Sequence, residues 1–182
     1  MKSAAITTLP VSAVEPSPTN PRKTFAPEKI TQLADTIKAQ GRILQKLLVR
    51  PWPGREGVYE CVDGARRRLA ALQLGLDTVP VDVLELTDAQ VIEIQLITGE
   101  TGEPLSPLEE AAGVASLLTG GKPLAEVADQ LGKPLSWVAR RARLASLSPK
   151  WRALAADEGS QVSTWPASWL ELVARLDASV QD

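Results

Sequence analysis

From Gln130 to Ala156 the sequence holds no aspartate or glutamate, while Lys133, Arg140, Arg141, Arg143, Lys150 and Arg152 supply six positive charges. The whole chain has a formal net charge of −2, so this basic stretch is a local feature. Electrostatic attraction acts over about a Debye length, roughly 8–10 Å at physiological salt. A local run of cations therefore suffices to engage a phosphodiester backbone. A second concentration is Asp63-Gly64-Ala65-Arg66-Arg67-Arg68, where a strand runs into a helix. The N-terminus of a helix suits an anion, and three arginines there disfavour the helix unless something negative compensates them. A phosphate or an acidic partner would do so; a solvated cationic patch is the alternative.

Other chemistries are narrowed by what the chain lacks. It contains no histidine and a single cysteine, Cys61. Ser-His-Asp and Cys-His catalysis are thereby excluded, as is an internal disulfide, and a transition-metal site is not expected. Glu60, Asp63 and Glu100 are the acids around the arginine turn, but their spacing is not that of a metal-ligand cluster. Carboxylate-held magnesium stays open. Cys61 lies on the strand before Gly64 and reads as a buried structural residue. No apolar run approaches the ~20 residues of a membrane span, and the Pro-interrupted start is a poor signal peptide. A cytoplasmic address without membrane contact is expected.

These residues need elements to hold them. Residues 1–20 read as an extended lead-in with an edge strand at Ile6–Val14. A helix follows at Pro27–Gln40, where Ile30, Leu33, Ala34 and Ile37 keep helical spacing and Gly41 stops it. Strands are predicted at Leu47–Val49, Val58–Val62 and Val79–Leu86, with helices from near Gly64 to Leu74 and from Thr87 to about Ile97. The segment TGETGEP (98–104) breaks the pattern. It separates an α/β domain at 21–98 from an all-helical domain at 104–182, an α+β organisation. Ser106-Pro107-Leu108-Glu109 opens the first helix of the second domain, which ends at Gly120-Gly121. Further helices are predicted at 123–131, 135–146, 149–157 and 165–176.

Within 123–146 the pattern is a helix-turn-helix. Leu124, Val127, Ala128 and Leu131 form one face, Gly132 permits a left-handed turn, and Pro134 prevents continuation. In such motifs the second helix enters the major groove with its early residues at base edges. Lys133, Ser136, Trp137, Arg140, Arg141 and Arg143 are therefore the candidate DNA-binding residues, with base and phosphate contacts not told apart. An ordinary helical hairpin with a basic solvated face is the bland alternative. Trp137 is equally suited to packing.

The blocks NPRKTF, QKLLVRP, YECVDGARRRLAALQLGLDTVPV and LSPLEEA, followed by the helix-turn-helix, resemble the ParB family of chromosome and plasmid partition proteins. The resemblance spans roughly residues 11–175. It implies a small ParB/sulfiredoxin-like α/β domain ahead of the helical DNA-binding domain, and binding of centromere-like duplex DNA. It also implies a homodimer, a partition ATPase as a further partner, and CTP with Mg2+ as cofactor. By the same resemblance Gly64, Ala65, Arg66 and Arg67 occupy the family's phosphate-facing Gly-Glu-Arg-Arg block, with Ala65 in place of the glutamate. Gln45-Lys46 replaces a usual Gln-Pro. Thr98-Gly99-Glu100-Thr101-Gly102 replaces the family's Glu-Asn-x-x-Arg, so nucleotide binding is expected to be reduced or absent and hydrolysis absent. The Trp-rich stripe Trp165, Trp169, Leu170, Leu172, Val173 and Leu176 reads most simply as core, with an exposed apolar stripe as a dimer interface the alternative; the family usually carries a dimerisation segment after the helical domain. A nucleotide-dependent enzyme or nuclease on the same α/β module is the competing reading.

Overall fold

The structure is a computed structural model; it describes residues 7–99, 104–157, 159–176 and 178–181. The chain divides into two units, Met1–Thr98 and Gly99–Asp182. None of the described helices is long and apolar enough to cross a membrane.

In the first unit, five strands form one mixed sheet: β1 (Thr7–Pro10), β2 (Val14–Pro16), β3 (Leu47–Pro51), β4 (Tyr59–Asp63) and β5 (Thr78–Val83), in the order β1-β5-β3-β4-β2. The expected single edge strand is split. β1 pairs antiparallel with β5 at one edge, and β2 pairs parallel with β4 at the other. Only a 3-10 turn, Val11–Ala13, separates them. Four residue steps reach at most about 14 Å, whereas the edges of a flat five-stranded sheet lie about 19 Å apart. The sheet must therefore curl until its edges converge, with this kinked segment closing it. The lead-in is thus part of the sheet, not a tether beside it.

Helix α1 (Pro27–Gln40) begins with proline at its first turn and ends at Gly41, whose φ of 67° is the left-handed stop that the sequence predicts. It buries Ile30, Ala34 and Ile37 in a core shared with Val11, Val14, Leu47, Val49, Val79, Val81 and the paired alanines Ala70 and Ala71 of α2 (Ala65–Gln73). Small residues at 70 and 71 let α2 lie close to that core. β5 ends at Val83, earlier than predicted. Helix α3 (Asp88–Thr98) follows, with the side chain of Gln90 accepting from the Thr87 N–H at 2.9 Å.

The second unit is helical. Its first helix, α4 (Pro107–Thr119), starts with a complete capping box: Ser106 Oγ accepts from the Glu109 N–H and Glu109 Oε2 accepts from the Ser106 N–H. Then come α5 (Leu124–Leu131), α6 (Leu135–Leu144), α7 (Pro149–Ala156), α8 (Ala167–Val173) and α9 (Ala178–Gln181). The long helix predicted at 165–176 is shorter because Pro166 sits at its N-cap, after a 3-10 turn at Gln161–Thr164. The Trp-rich stripe divides. Trp165, Leu170 and Val173 pack with Ala111, Leu144 and Leu147, while Trp169, Leu172 and Leu176 are exposed.

Candidate nucleic-acid interface and arginine turn

The basic helix α6 is positioned from below. Gly132 ends α5 with φ 63°, and the Lys133 N–H reaches back to Ala128 O at 3.0 Å, closing the turn. Val127, Ala128 and Leu131 of α5 and Val138 and Leu144 of α6 are buried, and α6 packs against α4, α5 and α8. Burial of that face leaves Ser136, Arg140 and Arg143 exposed. At 100° per residue these three fall within about 60° on the helix surface. They form one row.

The other three candidates lie differently. Trp137 is half-buried, with Lys133 Nζ 5.5 Å and Arg141 Cζ 5.2 Å from its ring centroid, both within cation–π range. Arg141 is turned into the unit: its Nε donates to Glu110 Oε2 of α4 at 2.6 Å, and its Nη1 lies 3.6 Å from Glu171 Oε1 of α8. All three charged side chains are less than a fifth exposed. Proximity to Arg140 in sequence suggested a DNA contact at Arg141. One residue further is 100° around the helix, and there two carboxylates compete for the guanidinium.

In the first unit, the arginine turn is built on Gly64, at φ 98°. A Cβ there would stand 3.0 Å from Leu47 Cγ and 3.3 Å from Leu47 Cα, so the turn accepts only glycine. No side chain caps α2 at Gly64, and first-turn N–H groups have no intrahelical acceptor. Part of the compensation for these arginines comes from the protein, as one carboxylate and several carbonyl acceptors. Arg67 Nη1 donates to the carbonyls of Gln45 (2.9 Å) and Lys46, and Nη2 to Asp63 Oδ2 at 2.9 Å. Arg68 Nε donates to Val14 O at 2.5 Å, tying α2 to β2. Ala65 and Arg66 are partly buried beside them. Thr98 Oγ1 donates to Ile94 O within its own helix, and Glu100, Thr101 and Gly102 lie outside the described residues.

Cys61 is 1% exposed and its thiol is pushed up to about 12, chiefly by burial. A thiol held that far from ionisation is a poor nucleophile. Among the described residues no group of three or more Cys, Asp or Glu could hold a metal ion.

One buried cluster was missed. Arg50 and Glu60, directly paired across β3 and β4, are 6% and 1% exposed. Arg50 Nε lies 2.7 Å from Glu60 Oε2; Nη1 donates to Leu86 O at 2.9 Å and Nη2 to Asp88 Oδ1 at 2.6 Å. Ser17 Oγ donates to Glu60 Oε1 at 2.5 Å and accepts from the Thr19 N–H at 3.3 Å, and Thr19 Oγ1 donates to Gln95 Oε1 of α3 at 3.2 Å. The network holds the start of α3 against the sheet. Its signal was present in sequence as opposite charges inside two largely apolar strands joined by a turn.

The two units define a class: a curled α/β module with an arginine turn, joined to a helix-turn-helix unit whose second helix carries a basic row. The model of the ParB N-terminal domain matches residues 1–99, and the chain belongs to the ParB family. It is 43% identical over 160 residues, 88% of this chain, to the chromosome-partitioning protein Spo0J of Thermus thermophilus, covering 57% of that protein. The chain thus spans little more than half the length of that relative. A crystal structure of C-terminally truncated ParB from Caulobacter crescentus complexed to the centromeric parS site matches with TM-score 0.63 and 32% identity, over 96% of this chain and 87% of that one. The same protein complexed with CTP-gamma-S matches with TM-score 0.52 and 31% identity, over 97% and 96%.

Proposed function

We propose that this chain binds duplex DNA at a centromere-like site, acting in partition or related regulation, with α6 in the major groove. The row Ser136, Arg140 and Arg143 on an acid-free segment carries this reading. Ser136 sits at the early, base-facing end of the helix, and the arginines can reach base edges or phosphates. Lys133 and Trp137 flank the row as supporting contacts. The parS complex of the Caulobacter relative supports the assignment. A homodimer would set two such helices on two half-sites, and the protein would reside on the nucleoid or a plasmid, in contact with a partition ATPase.

For the nucleotide, the CTP-gamma-S complex of a relative makes CTP, with Mg2+, the ligand to consider. Gly64, Ala65, Arg66 and the first-turn N–H groups of α2 would face its phosphates. Arg67 is committed to two carbonyls and Asp63, and residues 98 and 99 bring no acid or amide. CTP binding is accordingly weakened and hydrolysis lost, which favours a binding protein over an enzyme. Sequencing of genomic fragments captured by the purified chain tests the DNA reading: one enriched palindrome is expected, and uniform coverage would overturn it. Titration calorimetry with CTP, with and without that palindrome, tests the second; micromolar binding with turnover would overturn it.

A further inference from the structure

We infer that Arg141 is a positioning residue for α6, acting through an acid–arginine–acid bridge that sets the angle at which the basic row meets DNA. The inference rests on the DNA-binding reading above. Three helices meet at this guanidinium: Glu110 from α4 at 2.6 Å, Glu171 from α8 at 3.6 Å, and Arg141 itself from α6. Its flat cation also lies 5.2 Å from the centroid of Trp137, one turn earlier on α6 and adjoining the base-facing end. Lys133, in the turn between α5 and α6, approaches the same ring. A continuous chain of contacts therefore runs from α4 and α8, through Arg141 and Trp137, to the turn that launches α6.

Charge balance separates this role from a DNA contact. Two carboxylates face one guanidinium, so the bridge is net negative and would repel a phosphate brought to it. Arg140 and Arg143, by contrast, are exposed, about 100° and 160° around the helix from Arg141. A phosphate contact contributes a salt slope: each one lost reduces the slope of log K against log salt by about 0.9. A positioning residue contributes none. Its loss misaligns the contacts that discriminate bases, each worth on the order of tenfold in affinity or more.

The test measures binding of the full chain to a duplex carrying the Caulobacter parS site and to a scrambled duplex, across a salt series, well below each variant's melting temperature. Arg140→Ala should reduce the salt slope by about 0.9 if it touches phosphate, or lose site preference if it reads a base. Arg141→Gln should reduce the parS-to-scrambled ratio by roughly tenfold with the slope unchanged. Arg141→Lys should restore part of that ratio, and Glu171→Gln, a milder change, should lower it in the same direction. A slope reduced by about 0.9 in Arg141→Gln would make Arg141 a phosphate contact and overturn the inference. An unchanged ratio in the folded variant would make the bridge merely structural and overturn it equally. If the wild-type chain prefers neither duplex, the DNA-binding reading itself fails, an outcome visible before any variant is made.

Discussion

Replacing Arg50 by methionine should destabilise the first unit more than any change on its surface. The side chain is 6% exposed and Glu60, its cross-strand partner, 1%. Arg50→Met leaves the Glu60 carboxylate in the interior with only the Ser17 hydroxyl, 2.5 Å away. Removing one partner of a buried ion pair costs about 3–5 kcal/mol. The Asp88 arm adds little, because that carboxylate is 80% exposed and an ion pair to it is worth under about 1 kcal/mol. Glu60→Met should cost less than Arg50→Met, because Arg50 then keeps Asp88 and the Leu86 carbonyl. The double variant Arg50→Met/Glu60→Met should recover to within about 1 kcal/mol of wild type, since apolar replacement of a whole buried pair is often neutral or stabilising. Urea titration followed by hydrogen exchange of peptides spanning β3 and β4 reads this unit separately. At a slope near 1.5 kcal/mol/M the single Arg50 variant should shift the midpoint down by about 2–3 M. A loss below about 1 kcal/mol in Arg50→Met, or a double variant as unstable as the summed singles, would show that Glu60 is not left as an uncompensated buried charge.

Gly64→Ala should cost about 2–3 kcal/mol by the same assay, combining left-handed backbone strain with the close approach of Leu47, whereas Gly41→Ala, with open space around it, should cost only about 1 kcal/mol. Equal costs at the two positions would show that the Leu47 contact is not felt. Cys61 should resist alkylation at pH 8 in the native state and react at once in denaturant; rapid native labelling would contradict its burial. Its folded-state value is raised, so the stability it contributes is fully present below about pH 9. That stability should fall as pH rises from about 9 to about 12, by up to ~1.4 kcal/mol per pH unit, absent in Cys61→Ala.

Local signals made much of this protein legible. Helical spacing at Ile30, Ala34 and Ile37, the Ser106–Glu109 capping box and the Gly132–Pro134 turn each fix a backbone geometry through neighbours in sequence. The predicted strands lay within a few residues of β3, β4 and β5 for the same reason. What stayed hidden depends on distant residues. Nothing near Thr7–Pro16 says that its halves pair with strands at opposite edges of a curled sheet. Nothing near Arg67 announces that the carbonyls of residues 45 and 46 will take its guanidinium. Arg140 and Arg141 look alike in sequence, and only Glu110 and Glu171, 31 and 30 residues away, separate the exposed cation from the bridged one.

In the proposed function, α6 reads duplex DNA through its exposed row. Fluorescence anisotropy of the full chain with the parS duplex and a scrambled duplex, for wild type and Arg140→Ala/Arg143→Ala at two salt concentrations, tests it most directly. The expected result is a roughly tenfold or greater preference for the site, loss of most binding in the variant, and a reduced salt slope. Equal affinity for both duplexes in the wild type, or a folded variant that binds as tightly as wild type, would contradict it.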